Sequence, residues 1–450
     1  MKVRSFTSVR RRYWLAAIAV VAFCLAATSC ATTTTSTSSS GSTVAAGSNV
    51  AAGSCGVVPN GPLNDPDHLV AQLPKQLQAY YQGLPYEITK SAYTDWTPKH
   101  GPPWTIGFLD GPLNNPYNIG IQQDMEFWAK KLETAGILKN FIFRAAPDFT
   151  VGPQLQQFNS LIEQKVDLII VQPNSTTALV PAIQAAYNAG IPTVTTSGVV
   201  GSPYAVNWNT NPWLNGAVPT AYIAKNYMQS TGNMLMVEGQ PTQPQAIAGL
   251  AGARAALSNC PNIKIVNSTP LNSQYSNSVA KSVVLQFLAS YHGTINGVFD
   301  GGVVSTGIIS AFTQLGKPVP PMTNLGAIIG GLAYFSQHKS NWAGAATGSG
   351  GYEFDRIPMD IAVRILEGKG PKINDIIGEG LLVTKNNIDD VAAYNKSALN
   401  VSNINVGQVP PYSLETSASL NGYFNSPGMT GPVGLDQGVP SDLSQVLQAP

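Results

Sequence analysis

The sequence predicts an α/β fold built on doubly wound parallel sheets, and three observations carry that prediction. Short apolar runs alternate with amphipathic stretches from Trp104 onward. The amphipathic stretches hold apolar residues at helix spacing, as at Ile121, Met125, Trp128 and Leu132, or Leu155, Phe158 and Ile162, which buries one helix face. Segment 168–191 reads as one complete unit: an apolar run, an alanine-rich helix, then Gly190-Ile191-Pro192 leading into the next strand. Strand and helix in alternation need crossover connections, and therefore parallel sheets. Hydrophobic residues make up 44% of the 450, enough for a buried core, so wholesale disorder is excluded.

In chain order, residues 1–29 come first. They hold Lys2, Arg4, Arg10, Arg11 and Arg12 without an acid, then an apolar run from Tyr13 to Ala27. This is the pattern of a secretory signal, too short and wrongly flanked for a permanent membrane span. Leu25-Ala26-Ala27-Thr28-Ser29-Cys30 resembles a bacterial lipobox, which implies that Cys30 carries lipid and becomes the mature N-terminus. The pair Arg10-Arg11 leaves twin-arginine and general export both open. Residues 30–55 read as a tether, because 31–54 carry no charge and no large apolar side chain. Such a stretch has nothing to bury; at about 5–6 Å × √24 its root-mean-square reach is about 25–30 Å.

Cysteine usage agrees with export. Cys24 leaves with the signal and Cys30 takes lipid, so Cys55 and Cys260 remain in an oxidising compartment. A bridge pinning the tether base to the body and two unrelated thiols are the alternatives. Charged residues are only 11% of the chain, under half the usual ~25%. Beyond residue 29 there are 20 basic against 24 acidic residues, a net charge of −4. A charge-poor, mildly acidic body is not a nucleic-acid partner, since phosphate binding needs clustered Lys and Arg.

Residues 56–103 form a proline-rich N-terminal extension, with one amphipathic helix expected over 69–80. Strands are expected at 105–109, 141–143, 168–171, 193–195, 234–237, 264–266, 297–299 and 344–346. Residues 387–450 form a C-terminal extension, rich in Pro, Gly, Ser and Asn from 397 on. Both extensions are expected to wrap the body or stay mobile. Ligands of open parallel sheets bind outside the carboxyl ends of the strands.

At that point the residues resemble a known family. TIGFLDGPLNNPYN at 105–118 is similar to the first strand and ligand loop of ribose/galactose-type periplasmic binding proteins. The resemblance continues through DLIIVQP (167–173), AGIPTVTT (189–196), YIAK (222–225), 297–300, ILEG (365–368) and LVTKN (382–386). It implies a class I periplasmic-binding-protein-like fold: two doubly wound lobes joined by a three-crossover hinge. Lobe one would comprise 104–208 plus 350–379, and lobe two 209–349 plus 380–386. The ligand would lie in the cleft, and hinge closure would present it to a permease.

The same resemblance suggests site residues. Family members place an aromatic after the first strand to cover a sugar ring and asparagine to bond hydroxyls, which points to Asn115, Tyr117 and Asn118; the alternative for Tyr117 is a core residue after a proline turn. A phenol ring pairs apolar area with a polar tip. Gln172 stands where the family often has asparagine. The family's Asp-Arg pair is replaced by Ser197-Gly198, its helix arginine by Ala246-Ile247-Ala248-Gly249, its Asn-Asp by Asp300-Gly301-Gly302, and a later glutamine by Ser349. The charged grip on a sugar is missing. Trp208, Asn209, Asn211, Trp213, Gln240, Gln243 and Gln245 offer amides and indoles instead, suited to a neutral ligand. Each tryptophan serves equally as core or hinge packing, and Asp300 either accepts from a ligand or caps the following helix.

Enzyme signals are poor. His68, His100, His292 and His338 are scattered without HExxH spacing, and no G-x-S-x-G elbow occurs. DGGVVSTG at 300–307 lacks the lysine of a P-loop and reads as a tight strand–helix turn. No metal-ligand spacing and no cofactor are expected. The sequence therefore reads as a monomeric, lipid-anchored binding protein on the extracytoplasmic face, delivering a neutral sugar, polyol or related solute to an ABC importer. A receptor passing occupancy to a membrane kinase or chemoreceptor is the alternative.

Overall fold

The computed structural model describes residues 55–114, 116–327, 329–339, 344–347, 356–378, 380–388, 417–429 and 433. Cys30, Asn115 and Ser349, with the signal and nearly all of the tether, lie outside these residues.

The body is α/β, as the alternation predicts. Its first lobe is built by β1 (Trp104–Asp110), α2 (Pro116–Thr134), β2 (Leu138–Ala145), α3 (Val151–Glu163), β3 (Leu168–Val171), α4 (Val180–Asn188), β4 (Thr193–Thr196) and β5 (Ala205–Thr210). A short helix α1 (Lys75–Gln78) precedes them in the extension. The chain then enters the second lobe: α5 (Pro212–Asn226), β6 (Gly232–Glu238), α6 (Pro244–Ser258), β7 (Ile263–Ile265), β8 (Leu271–Asn272), α7 (Asn277–Ser290), β9 (Gly297–Gly301), α8 (Ser305–Gln314), α9 (Ile329–Gln337) and β10 (Gly344–Thr347). It returns for α10 (Arg356–Leu366) and β11 (Asp375–Gly378) and crosses again to β12 (Gly380–Val383); the last helix among the described residues is α11 (Ser417–Asn421).

The first sheet has six parallel strands in the order β11-β5-β4-β3-β1-β2. Strands such as Leu-Ile-Ile-Val of β3 are buried on both faces, as helices covering both sides of a parallel sheet require. Ile106, Phe108, Ile170, Val206 and Trp208 meet α2 and α10 on one face; Leu109, Ile169 and Val171 meet α3 and α4 on the other. In the second lobe β6 pairs in parallel with β7 at its start, with β8 at its end and with β9 along its length. β10 and β12 form a separate antiparallel pair. Helices α5 and α6 approach so closely that a Cβ on Gly216 would lie 1.9 Å from the Gly249 carbonyl oxygen. Only glycine fits there.

All eight expected strands are present. Three further strands lack the apolar signature: β5 (Ala-Val-Asn-Trp-Asn-Thr), the two-residue β8, and β11, which starts on an aspartate. The expected helix over 69–80 is corrected to two single 3₁₀ turns flanking the four-residue α1. Pro74 is the cause: it forces Leu73 into extended backbone (ψ 160°) and supplies no N–H to continue the turn.

The extensions, where described, belong to the core. Leu73, Leu77, Tyr81, Leu84, Ile88 and Tyr93 from the N-terminal side, and Leu420, Tyr423 and Phe424 from the C-terminal side, pack in the first lobe. They also cover β11, the edge strand. The Tyr81 hydroxyl donates to the Asp375 carbonyl and the Tyr423 hydroxyl to that of Ile377, each at 2.6 Å. An open strand edge is thereby closed.

Candidate functional site

Loops that follow β2 and β3 meet loops that follow β6 and β8, Phe149 packing on Tyr275 and Gln243 bonding Asn174, at the carboxyl ends of the strands, where ligands of such sheets bind. On the first-lobe side β1 ends at Asp110, which is fully buried. One carboxylate oxygen accepts from the Gly111 N–H at 2.7 Å. The other has no partner among the described residues, and burial holds the carboxyl's pKa well above its usual range. The Gly111 N–H is shared with the Gln172 Oε1 at 2.8 Å. Gln172 Nε2 donates in turn to Asn118 Oδ1 at 3.4 Å, and Asn118 Nδ2 to the Pro112 carbonyl at 2.9 Å. Gln172 and Asn118 are thus brought together, where they brace the loop after β1. A Cβ on Gly111 would meet both amides, at 2.4 and 2.6 Å.

Tyr117 and Ser197 also meet, with their hydroxyl oxygens 2.7 Å apart. Ser197 has a positive φ of 54°, a conformation that non-glycine residues adopt chiefly where surroundings impose it. Gln274 and Tyr275, at φ 52° and 55°, repeat this on the second-lobe side. Tyr275 packs against Phe149 of the first lobe, ring centroids 5.5 Å apart. Two amide pairs also cross between lobes: Gln243 Nε2 donates to Asn174 Oδ1 at 3.2 Å, and Gln245 Nε2 to Asn209 Oδ1 at 3.3 Å. The second pair leaves Asn209 Nδ2 and Gln245 Oε1 buried and without partners among the described residues. That is one donor beside one acceptor. Further along, Gln240 Oε1 accepts from Asn272 at 3.4 Å, and burial raises the nearby Glu238 carboxyl, with Arg254 opposing.

Four expected contacts have other work. Asp300 fastens its own turn, its carboxylate accepting from the N–H groups of Gly302 at 2.9 Å and Val304 at 3.2 Å. Burial pushes its pKa up to about 7 against those bonds. Trp208 is fully buried in the first-lobe core, since alternation along β5 puts it on the face of Val206. Asn211 caps α5, accepting from Trp213 and Leu214 N–H groups, and donates to the carbonyls of Tyr80 and Gln82, both at 2.8 Å. Trp213 is covered by Gly61 and Gly83 of the N-terminal extension.

Asp110, Phe149, Asn174 and Tyr275 were not among the expected site residues. Asp110 carried a signal, a lone acid closing an apolar strand; the others stand in loops without periodicity. Cys55 and Cys260 are joined, with sulfurs 2.01 Å apart. No group of three or more His, Cys, Asp or Glu is placed to hold a metal among the described residues. No helix among them is long and apolar enough to cross a membrane.

Two α/β lobes that meet through amides and aromatic rings near their strand ends have the architecture of a small-molecule binding protein. The chain belongs to the periplasmic binding protein domain family, which matches residues 106–370, a family of extracytoplasmic solute-binding proteins. The chain is 24% identical over 241 residues to the xylitol-binding protein of Mycolicibacterium smegmatis, covering 53% of this chain and 67% of that one. It is 32% identical over 92 residues to the ribose import binding protein of Bacillus subtilis, covering 20% of this chain and 28% of the relative's length. Among solved structures, an ABC transporter solute-binding protein of Bacillus halodurans with bound myo-inositol superposes with a TM-score of 0.57 at 20% identity, over 66% of this chain and 99% of that one. That likeness is one of fold.

Proposed function

We propose that this chain is an extracytoplasmic lipoprotein that captures a neutral sugar or polyol between its lobes and hands it to an ABC importer. The observation that carries the reading is the polar lining left over after internal bonding. Asn209 Nδ2 offers a donor, Gln245 Oε1 an acceptor, and the second oxygen of Asp110 a further hydrogen-bonding position. A hydroxyl both donates and accepts, so one hydroxyl answers the amide pair and a second answers Asp110. Buried polar groups without partners cost roughly 1–3 kcal/mol each, which a polyhydroxylated solute relieves on binding. Tyr117, Phe149 and Tyr275 add apolar area for C–H faces. Relatives named for xylitol and ribose, and a structural neighbour holding myo-inositol, fit this chemistry.

A thermal-shift panel of xylitol, myo-inositol, ribose and arabinose tests the reading. A solute at ~100 times its dissociation constant adds about 2.7 kcal/mol, seen as a shift of a few degrees. A saturable shift with one of them is expected. A panel that moves nothing, or a response only to charged or apolar compounds, removes the sugar or polyol. For anchoring, Cys30→Ala is expected to release the protein from the membrane fraction; full retention counts against the lipid anchor.

A further inference from the structure

We infer that the N-terminal segment 55–93 is a fourth connection between the lobes, a strap that limits how far the cleft opens. It grips both lobes in alternation. Its first residues are fixed to the second lobe by the Cys55–Cys260 disulfide and by Asn259 Nδ2 donating to the Val57 carbonyl at 3.0 Å. Its middle enters the first-lobe core through Leu73, Leu77 and Tyr81. It then returns to the second lobe, where Gly83 lies flat on Trp213, with room for no Cβ, and Asn211 binds the carbonyls on either side of Tyr81.

Five residues on, Tyr86 reaches the second lobe again, its hydroxyl donating to the Pro244 carbonyl at 3.0 Å where α6 begins. Ile88 and Tyr93 then re-enter the first core, and Thr89 exchanges bonds with Asn374 just before β11.

A two-lobed binding protein opens by rotating one lobe about its crossovers. Here α5 and α6 move together, because Gly216 and Gly249 lock them. Rotation of that pair away from the six-stranded sheet breaks the Asn211 and Tyr86 bonds, whose strap-side atoms are held by the first-lobe core. Asn211 and Tyr86 are therefore positioning residues, which set the angle at which the cleft rests.

The test needs no solute, so its result stands whether or not the sugar reading does. In the full chain with Cys24 and Cys30 replaced by serine, spin labels at Glu163→Cys and Lys317→Cys, both exposed, report the interlobe distance by pulsed dipolar resonance. Asn211→Ser keeps a good helix cap and deletes both donors to the strap. Tyr86→Phe deletes one oxygen, and Cys55→Ser with Cys260→Ser frees the strap's start. The parent is expected to give one narrow distance. Asn211→Ser should broaden it and add a longer population by several ångströms, with smaller changes in Tyr86→Phe and the cysteine double variant. Parent-like distances in all three variants, each folded by circular dichroism, overturn the inference, as does a broad parent distribution. If Asn211→Ser does not fold, the single-oxygen change Tyr86→Phe decides alone.

Discussion

The ends of β1 and β9 invite comparison, because each carries a fully buried aspartate where a strand turns towards a helix. At Asp300 the following turn, Gly302 to Val304, folds back and takes up the carboxylate with N–H groups. Val303 is held at φ 59° by that turn. At Asp110 only the Gly111 N–H returns, and one oxygen is left over. Position at a strand end is the same; what differs is how many lone pairs the local backbone consumes. A carboxylate becomes a fastener or a ligand group by that count.

The comparison breaks first on stability. Asp300→Ala leaves two buried N–H groups unpaired and should destabilise the protein by about 2–3 kcal/mol in urea unfolding. A change near zero would mean the turn stands without its carboxylate. Asp110→Ala should do the reverse, leaving stability nearly unchanged while weakening the best solute of the panel by about 5- to 100-fold, or 1–3 kcal/mol. Unchanged affinity in titration calorimetry would remove Asp110 from the site.

The smallest effect is on pH dependence. Burial raises the folded pKa of Asp300 to about 7 from the usual 3.8, so the folded state binds its proton more tightly than the unfolded. Its stabilising contribution is fully present below the unfolded pKa and is lost as pH rises through about 7. Relative to Asp300→Asn, the parent should lose melting temperature between about pH 4 and pH 8. A constant difference across that window would show that the group does not titrate there.

Much of the fold was legible because parallel strands buried on both faces spell themselves as apolar runs; β1, β3 and β6 are of this kind. β5 was not, because its Asn207 and Asn209 turn amide groups inward, Asn207 to the Val200 backbone and the Asn209 Oδ1 to Gln245. Sequence brought Tyr117 and Asn118 forward because they are neighbours at the start of α2, where one meets Ser197 and the other Gln172. The site was misread at Asn211 and Trp213, whose partners at 80–83 arrive from about 130 residues away. Periodicity carries no trace of such a meeting. Nor does sequence reveal that Asp110 keeps an oxygen free, since that follows from which backbone N–H groups turn back.

The tyrosine hydroxyls on β11 have a temporal consequence. One comes from residue 81 and the other from residue 423, so the β11 edge is covered by side chains from opposite ends of the body. A chain synthesised N-terminus first can assemble β1 to β5 early, yet β11 and its second cover arrive more than 160 residues later. Until then the sheet presents β5 as a bare margin to whatever lies nearby. Completion of synthesis and protection from self-association are, for this molecule, the same event.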